Sequence, residues 1–145
     1  KSKRPKTIDK VIDAIFQIQG GYALVMLTQN SLIGVRDPYG IRPLVIGKLG
    51  NSYVLASETC AFDIIGAKFL REVENGEIVI IENNKISSLK PFPKQKARPC
   101  IFEYIYFARP DSILDGKTAY EHRKNLGKEL AKENEYGQAV KLFVA

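Results

Sequence analysis

The chain is short of the residues that usually announce chemistry. It has a single histidine, His122, and only two cysteines, Cys60 and Cys100, among 145 residues. His122 falls in the first turns of a polar-faced helix, where a surface role is expected, and no nucleophile–base set is readable around it. The two cysteines lie far apart and form no metal-ligand pair. Both sit in apolar settings, so buried free thiols in a reducing, cytoplasmic compartment are expected.

Other absences narrow the classes further. No apolar run approaches the ~20 residues that a membrane span needs. The basic start, Lys1 to Lys6, is followed by no apolar stretch or cleavage site, so no secretory leader is read. Gly20-Gly21 lacks the spacing and the lysine of a phosphate loop. Glu58 and Asp63 lie five residues apart, and nothing else supports paired-acid chemistry. The net charge is +6, but no aromatic residues interleave the basic stretches as base stacking requires. Those charges read as solvated faces, with no nucleic-acid partner.

What is present is an ordinary globular composition, 45% hydrophobic and 26% charged. Thr7 is a plausible cap for a helix over 8–18, where Ile8, Val11, Ile12, Ile15 and Phe16 recur at helical spacing. Strands are expected at 22–27, a central one because it is apolar on both faces, and at 31–36, 44–48 and 53–57. Their short turns favour an antiparallel meander. A short helix over 59–66, an extended 69–73, and a hairpin of 78–81 with 85–89 through Asn83-Asn84 follow.

Lys90 to Pro99 holds three prolines and four cations in ten residues, an exposed connector. Ile101 to Phe107 reads as a strand covered on both faces. Thr118 and Glu121 have capping-box spacing for a last helix reaching about Lys132. The tail from Glu135 shows no pattern.

The chain is organised around Val35-Arg36-Asp37-Pro38-Tyr39-Gly40-Ile41-Arg42-Pro43. Pro38 presets φ and Gly40 admits positive φ, which marks a tight bend. Arg36, Asp37, Gly40, Arg42 and, from a neighbouring strand, Glu58 are expected to form a structural turn. In it the guanidinium groups would meet the Asp37 or Glu58 carboxylate, with no contact to substrate.

Four stretches resemble a known family. They are residues 34–44 (Gly-Val-Arg-Asp-Pro-Tyr-Gly-Ile-Arg-Pro-Leu), 56–63 (Ala-Ser-Glu-Thr-Cys-Ala-Phe-Asp), 103–112 (Glu-Tyr-Ile-Tyr-Phe-Ala-Arg-Pro-Asp-Ser) and 120–131. Together they resemble the amidophosphoribosyltransferase family of class II glutamine amidotransferases. The Arg-Asp-Pro-x-Gly bend occurs in other class II amidotransferases; the 103–112 stretch separates this family from them.

The resemblance implies an α+β fold: part of an N-terminal-nucleophile hydrolase-type antiparallel sheet sandwich with flanking helices. It implies the second half of a glutaminase domain over 1–112. A connector helix over 113–134 would lead into a phosphoribosyltransferase domain, with a divergent or truncated tail at 135–145. The parent would combine glutamine with phosphoribosyl pyrophosphate, need Mg²⁺ with that substrate at a site outside this chain, and form a homo-oligomer.

The family's nucleophile is a mature N-terminal cysteine, whereas residue 1 is Lys. The family's glutamine-gripping arginine, oxyanion-hole residues and phosphoribosyl-pyrophosphate loop also match no residue here. The chain alone is therefore expected to be inactive. Some relatives hold an iron–sulfur cluster, for which Cys100 is the one candidate ligand. A different class II amidotransferase, or a non-catalytic remnant or interaction fragment, are the alternatives. Half a sandwich would leave apolar surface open near Ala23, Val25 and Ile33 and along 101–107, promoting self-association.

Overall fold

The computed structural model describes residues 2–133. They divide into two compact units, residues 2–44 with 72–99, and residues 45–71 with 100–133.

The first unit is an antiparallel sheet with a helix. Helix α1 (Thr7–Ile15) precedes strands β1 (Ala23–Leu27) and β2 (Leu32–Arg36). Strands β6 (Ile78–Glu82) and β7 (Lys85–Leu89) complete the order β1-β2-β6-β7. Register pairs Met26 with Ile33, and Ile33 with Ile80. Ile8, Val11 and Ile12 of α1 pack on a core of Ile15, Tyr22, Ile33, Val35 and Ile78. The helical spacing of those apolar residues is what turns one face of α1 to the sheet. Asn83 and Asn84, with φ of 50° and 55°, close the β6–β7 hairpin in the left-handed region that asparagine tolerates.

Several details differ from expectation. Helix α1 starts at Thr7 itself, after Lys6, and no side chain caps it. The basic lead-in is pinned: Ser2 Oγ donates to Asp13 at 2.7 Å and Arg4 pairs with Asp13 at 3.1 Å. Strand β1 is an edge strand, and β2 holds the central place. Ile33 is buried, because the two-residue period puts it with Leu24 and Met26 on the core face. Val25 and Leu27 face the other way and are exposed. The connector is tied down as well. Phe92 packs against the core and against Phe16, with ring centroids 4.7 Å apart. Arg98 N–H donates to Tyr39 O at 2.8 Å.

The second unit holds β3 (Val45–Leu49), β4 (Ser52–Ala56), α2 (Cys60–Ile65) and β5 (Lys68–Glu72) apart from its last residue. Its sheet order is β4-β3-β5. Strands β2 and β3 therefore belong to different sheets, and the expected four-strand meander does not form. Its core gathers Val45, Phe62 and Ala67 with Val54 and Ala56. Gly47 lies under the Phe62 ring, where a Cβ would come within 2.9 Å of it. Helix α2 ends on Gly66 at φ 71°, the usual left-handed terminus.

Beyond residue 100 the expected strand is a helix. Residues 101–102 are α-helical and Glu103–Phe107 form a π-helical turn. The wide turn is closed by Ala108 N–H donating to Glu103 O at 3.2 Å. Aromatic and β-branched composition favours strands only weakly, and a tertiary partner overrides it here. Arg123 donates through Nε to Tyr104 O at 2.9 Å and through Nη2 to Ala108 O at 2.7 Å. Strands β8 (Ile113–Leu114) and β9 (Lys117–Thr118) then lead into helix α3 (Ala119–Glu133). Its capping box forms as the spacing predicts. Thr118 N–H donates to Glu121 at 2.9 Å, and Glu121 N–H donates to Thr118 Oγ1 at 3.1 Å. The tail from 135 lies outside the described residues.

Candidate functional site

The two motif-bearing stretches form two separate sites. In the first unit, Asp37 sits at the end of β2 with its side chain fully buried. Its carboxylate accepts four backbone N–H bonds. Those from Tyr39, Ile41 and Arg42 are each 3.0 Å long, and that from Tyr22 is 3.3 Å. The Asp37 carbonyl accepts two more, from Gly40 and Gly76, at 3.0 Å each. One aspartate thus fixes the path of 37–42 and ties it to the residue before β1. Gly40 takes φ +63°, and a Cβ there would collide with the Asn75 side-chain amide. Glycine is required on both counts.

Arg36 is bound on all sides. Its Nε donates to Arg42 O at 2.9 Å, and Nη1 donates to Val73 O at 2.7 Å and to Glu72 at 3.1 Å. The guanidinium therefore braces the bend through carbonyls and Glu72. The expected pairing with Asp37 does not occur, because four N–H donors already occupy that carboxylate. Arg42 likewise reaches Asp37 through its backbone N–H.

The Asp37 charge also acts on Tyr22. Burial first, and the nearby Asp37 carboxylate second, push the Tyr22 phenol above its ordinary pKa. The Tyr22 hydroxyl is buried with no hydrogen-bond partner.

Glu58 is not part of that bend. It lies in the second unit, just before α2, and its partners come from more than fifty residues later in the chain. Glu58 Oε2 accepts Arg109 N–H at 2.7 Å and Ser112 Oγ at 2.7 Å. The Cys60 thiol also faces it at 3.7 Å. Beside it, Thr59 Oγ1 accepts Ile113 N–H at 2.8 Å. Ser112 and Thr59 are buried.

The 108–113 loop is held from its other side by α3. Tyr120 N–H donates to Pro110 O at 2.9 Å, and Ala119 N–H to Ser112 O at 2.8 Å. The Arg109 side chain turns outward into a two-bond fork with Asp111, at 2.8 and 2.6 Å. The hydrogen bond from Arg109 holds the Asp111 carboxyl below its usual range and raises Arg109 in turn. In the sequence, residues 103–112 stand out as a motif, but nothing there gives Arg109, Asp111 and Ser112 a role. The polar density of Arg109-Pro110-Asp111-Ser112 after an apolar run was the available signal.

His122 is structural. Its Nε2 bonds Leu114 O at 2.9 Å, and its ring meets Tyr104 edge-on at 5.0 Å. Cys60 is buried and Cys100 half-buried, and both are free thiols. Among the described residues no three His, Cys, Asp or Glu side chains gather as metal ligands. A four-ligand iron–sulfur cluster that used the half-buried Cys100 would draw its other ligands from outside this segment.

The bend and the stretch leading into α2 carry the signature of a glutamine amidotransferase domain, whose family model matches residues 5–63. The fold is α+β and of the N-terminal-nucleophile hydrolase type. Similarity continues past that model. The chain is 51% identical over 139 residues to the amidophosphoribosyltransferase of Rhizobium etli, covering 92% of this chain and 28% of that protein. It is 46% identical over 126 residues to the Bacillus subtilis enzyme of the same name, covering 87% of this chain and 26% of that one. Among solved structures, it superposes on the glutamine phosphoribosylpyrophosphate amidotransferase of B. subtilis, complexed with ADP and GMP. That match has a TM-score of 0.89 and 44% identity, over 92% of this chain and 30% of the other. Over most of its length the chain is thus similar to amidophosphoribosyltransferases, and it spans less than a third of the length of these relatives.

Proposed function

We propose that this segment belongs to an enzyme that joins the amide nitrogen of glutamine to phosphoribosyl pyrophosphate, the committing step of purine synthesis. Glutamine is hydrolysed to glutamate and ammonia. The ammonia nitrogen attacks C1 of the sugar, the bond from C1 to the pyrophosphate oxygen breaks, and 5-phosphoribosylamine and pyrophosphate leave. Mg²⁺ bound with the diphosphate substrate would neutralise the departing charge. No described residue here is assigned to hold it. The parent is read as a cytoplasmic homo-oligomer, and an iron–sulfur cluster in it would combine Cys100 with ligands from outside this segment.

One observation carries the reading. The likeness to amidophosphoribosyltransferases runs over 92% of the chain, well beyond the 5–63 amidotransferase signature and through Glu103–Ser112. A different class II amidotransferase would share the Asp37 bend and not the later stretch. The segment's part is scaffolding. Asp37 and Arg36 fix one sheet's exit, while residues 100–133 would lead toward the transferase domain. No nucleophile and base meet among the described residues, so residues 2–133 alone should neither hydrolyse glutamine nor consume phosphoribosyl pyrophosphate.

The test is the coding DNA around this segment and its complete product. An upstream frame opening on Cys-Gly, whose product releases glutamate and pyrophosphate in equal amounts, is the expected result. A product that hydrolyses glutamine without consuming phosphoribosyl pyrophosphate would place the chain in another amidotransferase. Stop codons closing the frame on both sides would make it a remnant.

A further inference from the structure

Glu58 lies inside the amidotransferase-matched segment, yet its hydrogen bonds to distant sequence go to the 108–113 loop. It and Thr59 together accept two backbone N–H groups and one buried hydroxyl from that loop. The loop also gives three carbonyls to α3: Pro110 O and Ser112 O accept from the first turn, and Ala108 O accepts from Arg123. The loop is therefore clamped between α2 and α3, while the Arg109–Asp111 fork is left half-exposed. Charge-assisted bonds of 2.7 Å to one carboxylate oxygen are directional, and they fix the position of the loop as well as its attachment.

We propose that Glu58 is a positioning residue that registers loop 108–113 and helix α3 against the amidotransferase segment, so that ammonia released from glutamine is used efficiently at the transferase centre. The proposal rests on the function proposed above for the coupling it predicts, and on geometry alone for the registration.

Two measurements test it. The first is amide hydrogen exchange on the chain itself. In Glu58→Ala, the Arg109 amide loses its acceptor and the Ser112 hydroxyl is stranded. Exchange at Arg109 and Ile113 should quicken by about tenfold or more. In Glu58→Gln, whose amide oxygen still accepts, protection should be largely restored. Unchanged protection in Glu58→Ala overturns the registration whatever the enzyme does.

The second uses the complete enzyme. Glutaminase activity and synthesis from added ammonia should stay within about twofold of the unaltered enzyme. Synthesis from glutamine should fall about tenfold, the scale of one lost charge-assisted hydrogen bond, and Glu58→Gln should recover most of it. An unchanged ratio of glutamine-dependent to ammonia-dependent synthesis overturns the coupling, as does parallel loss of all three activities. If the unaltered enzyme shows none of them, the proposed function fails, and the exchange experiment still decides the registration.

Discussion

Asp37 and Glu58 each hold a bend through backbone N–H groups, but they do so in opposite ways. Asp37 is fully buried, and its carboxylate gathers donors from the residues that follow it and from Tyr22. Glu58 is partly exposed and gathers donors from residues 109 and 112. A local, buried carboxylate sets the path of the chain as it folds, and its removal strands several donors away from water. A distant, half-exposed one joins two pieces that are otherwise formed, and water can replace part of what it gives. The difference teaches that the same chemical device serves fold in one unit and registration in the other.

The comparison breaks most readily at Asp37. Asp37→Ala would leave four N–H groups without their acceptor in a buried bend. At about 1–3 kcal/mol per stranded donor, with partial relaxation, a loss of about 4 kcal/mol is expected in denaturant unfolding. A loss near 1 kcal/mol would mean that water reaches the bend. Gly40→Ala tests the same bend from the backbone. The left-handed conformation costs a residue with a Cβ about 1–2 kcal/mol, and displacing Asn75 adds to it, for about 2–3 kcal/mol in all. Glu58→Ala should cost less, about 1–2 kcal/mol, because only Ser112 is stranded in a dry setting. If Glu58→Ala proved as costly as Asp37→Ala, the distinction between path-setting and registration would fall.

Legibility in the sequence follows the same division. The Asp37 bend was readable because its determinants, Pro38 and Gly40, lie within three residues. The capping box of α3 and the Asn83-Asn84 hairpin were readable for the same reason. The partners within the bend were not. Charge counting pairs arginine with aspartate, whereas here backbone donors satisfy Asp37 and backbone carbonyls take the guanidinium of Arg36. The turn at 101–107 misled because its apolar alternation fits a strand. What makes it helical is Arg123, about twenty residues later, supplying donors to carbonyls that the π-turn leaves open. The loop held by Glu58 was invisible, since nothing local in either stretch names the other. The place of β1 at a sheet edge was hidden too. Apolar residues on both faces of a strand do not show which neighbours it will have.

The smallest expected effect sharpens the Asp37 side. The Tyr22 hydroxyl is buried and unpartnered, and Tyr22 N–H bonds the Asp37 carboxylate. Replacing the hydroxyl by hydrogen removes a stranded polar group and leaves the ring in the core, so Tyr22→Phe should change stability by no more than about 0.5 kcal/mol at pH 7. The difference appears in alkali. The folded phenol titrates above its ordinary value, through burial first and the Asp37 charge second. The unfolded tyrosine therefore ionises first, and unfolding releases a proton in that range. The stability tied to the neutral phenol is fully present below the unfolded pKa, near 10, and is lost as pH rises from there through the folded value. Denaturation midpoints of the two proteins should coincide at pH 7–9 and separate above pH 10, with the phenylalanine variant the more stable. Curves that stayed parallel to higher pH would mean that the folded phenol ionises as easily as the unfolded one. Tyr22 would then be in contact with water, and the dry setting that makes Asp37 costly to remove would be in question.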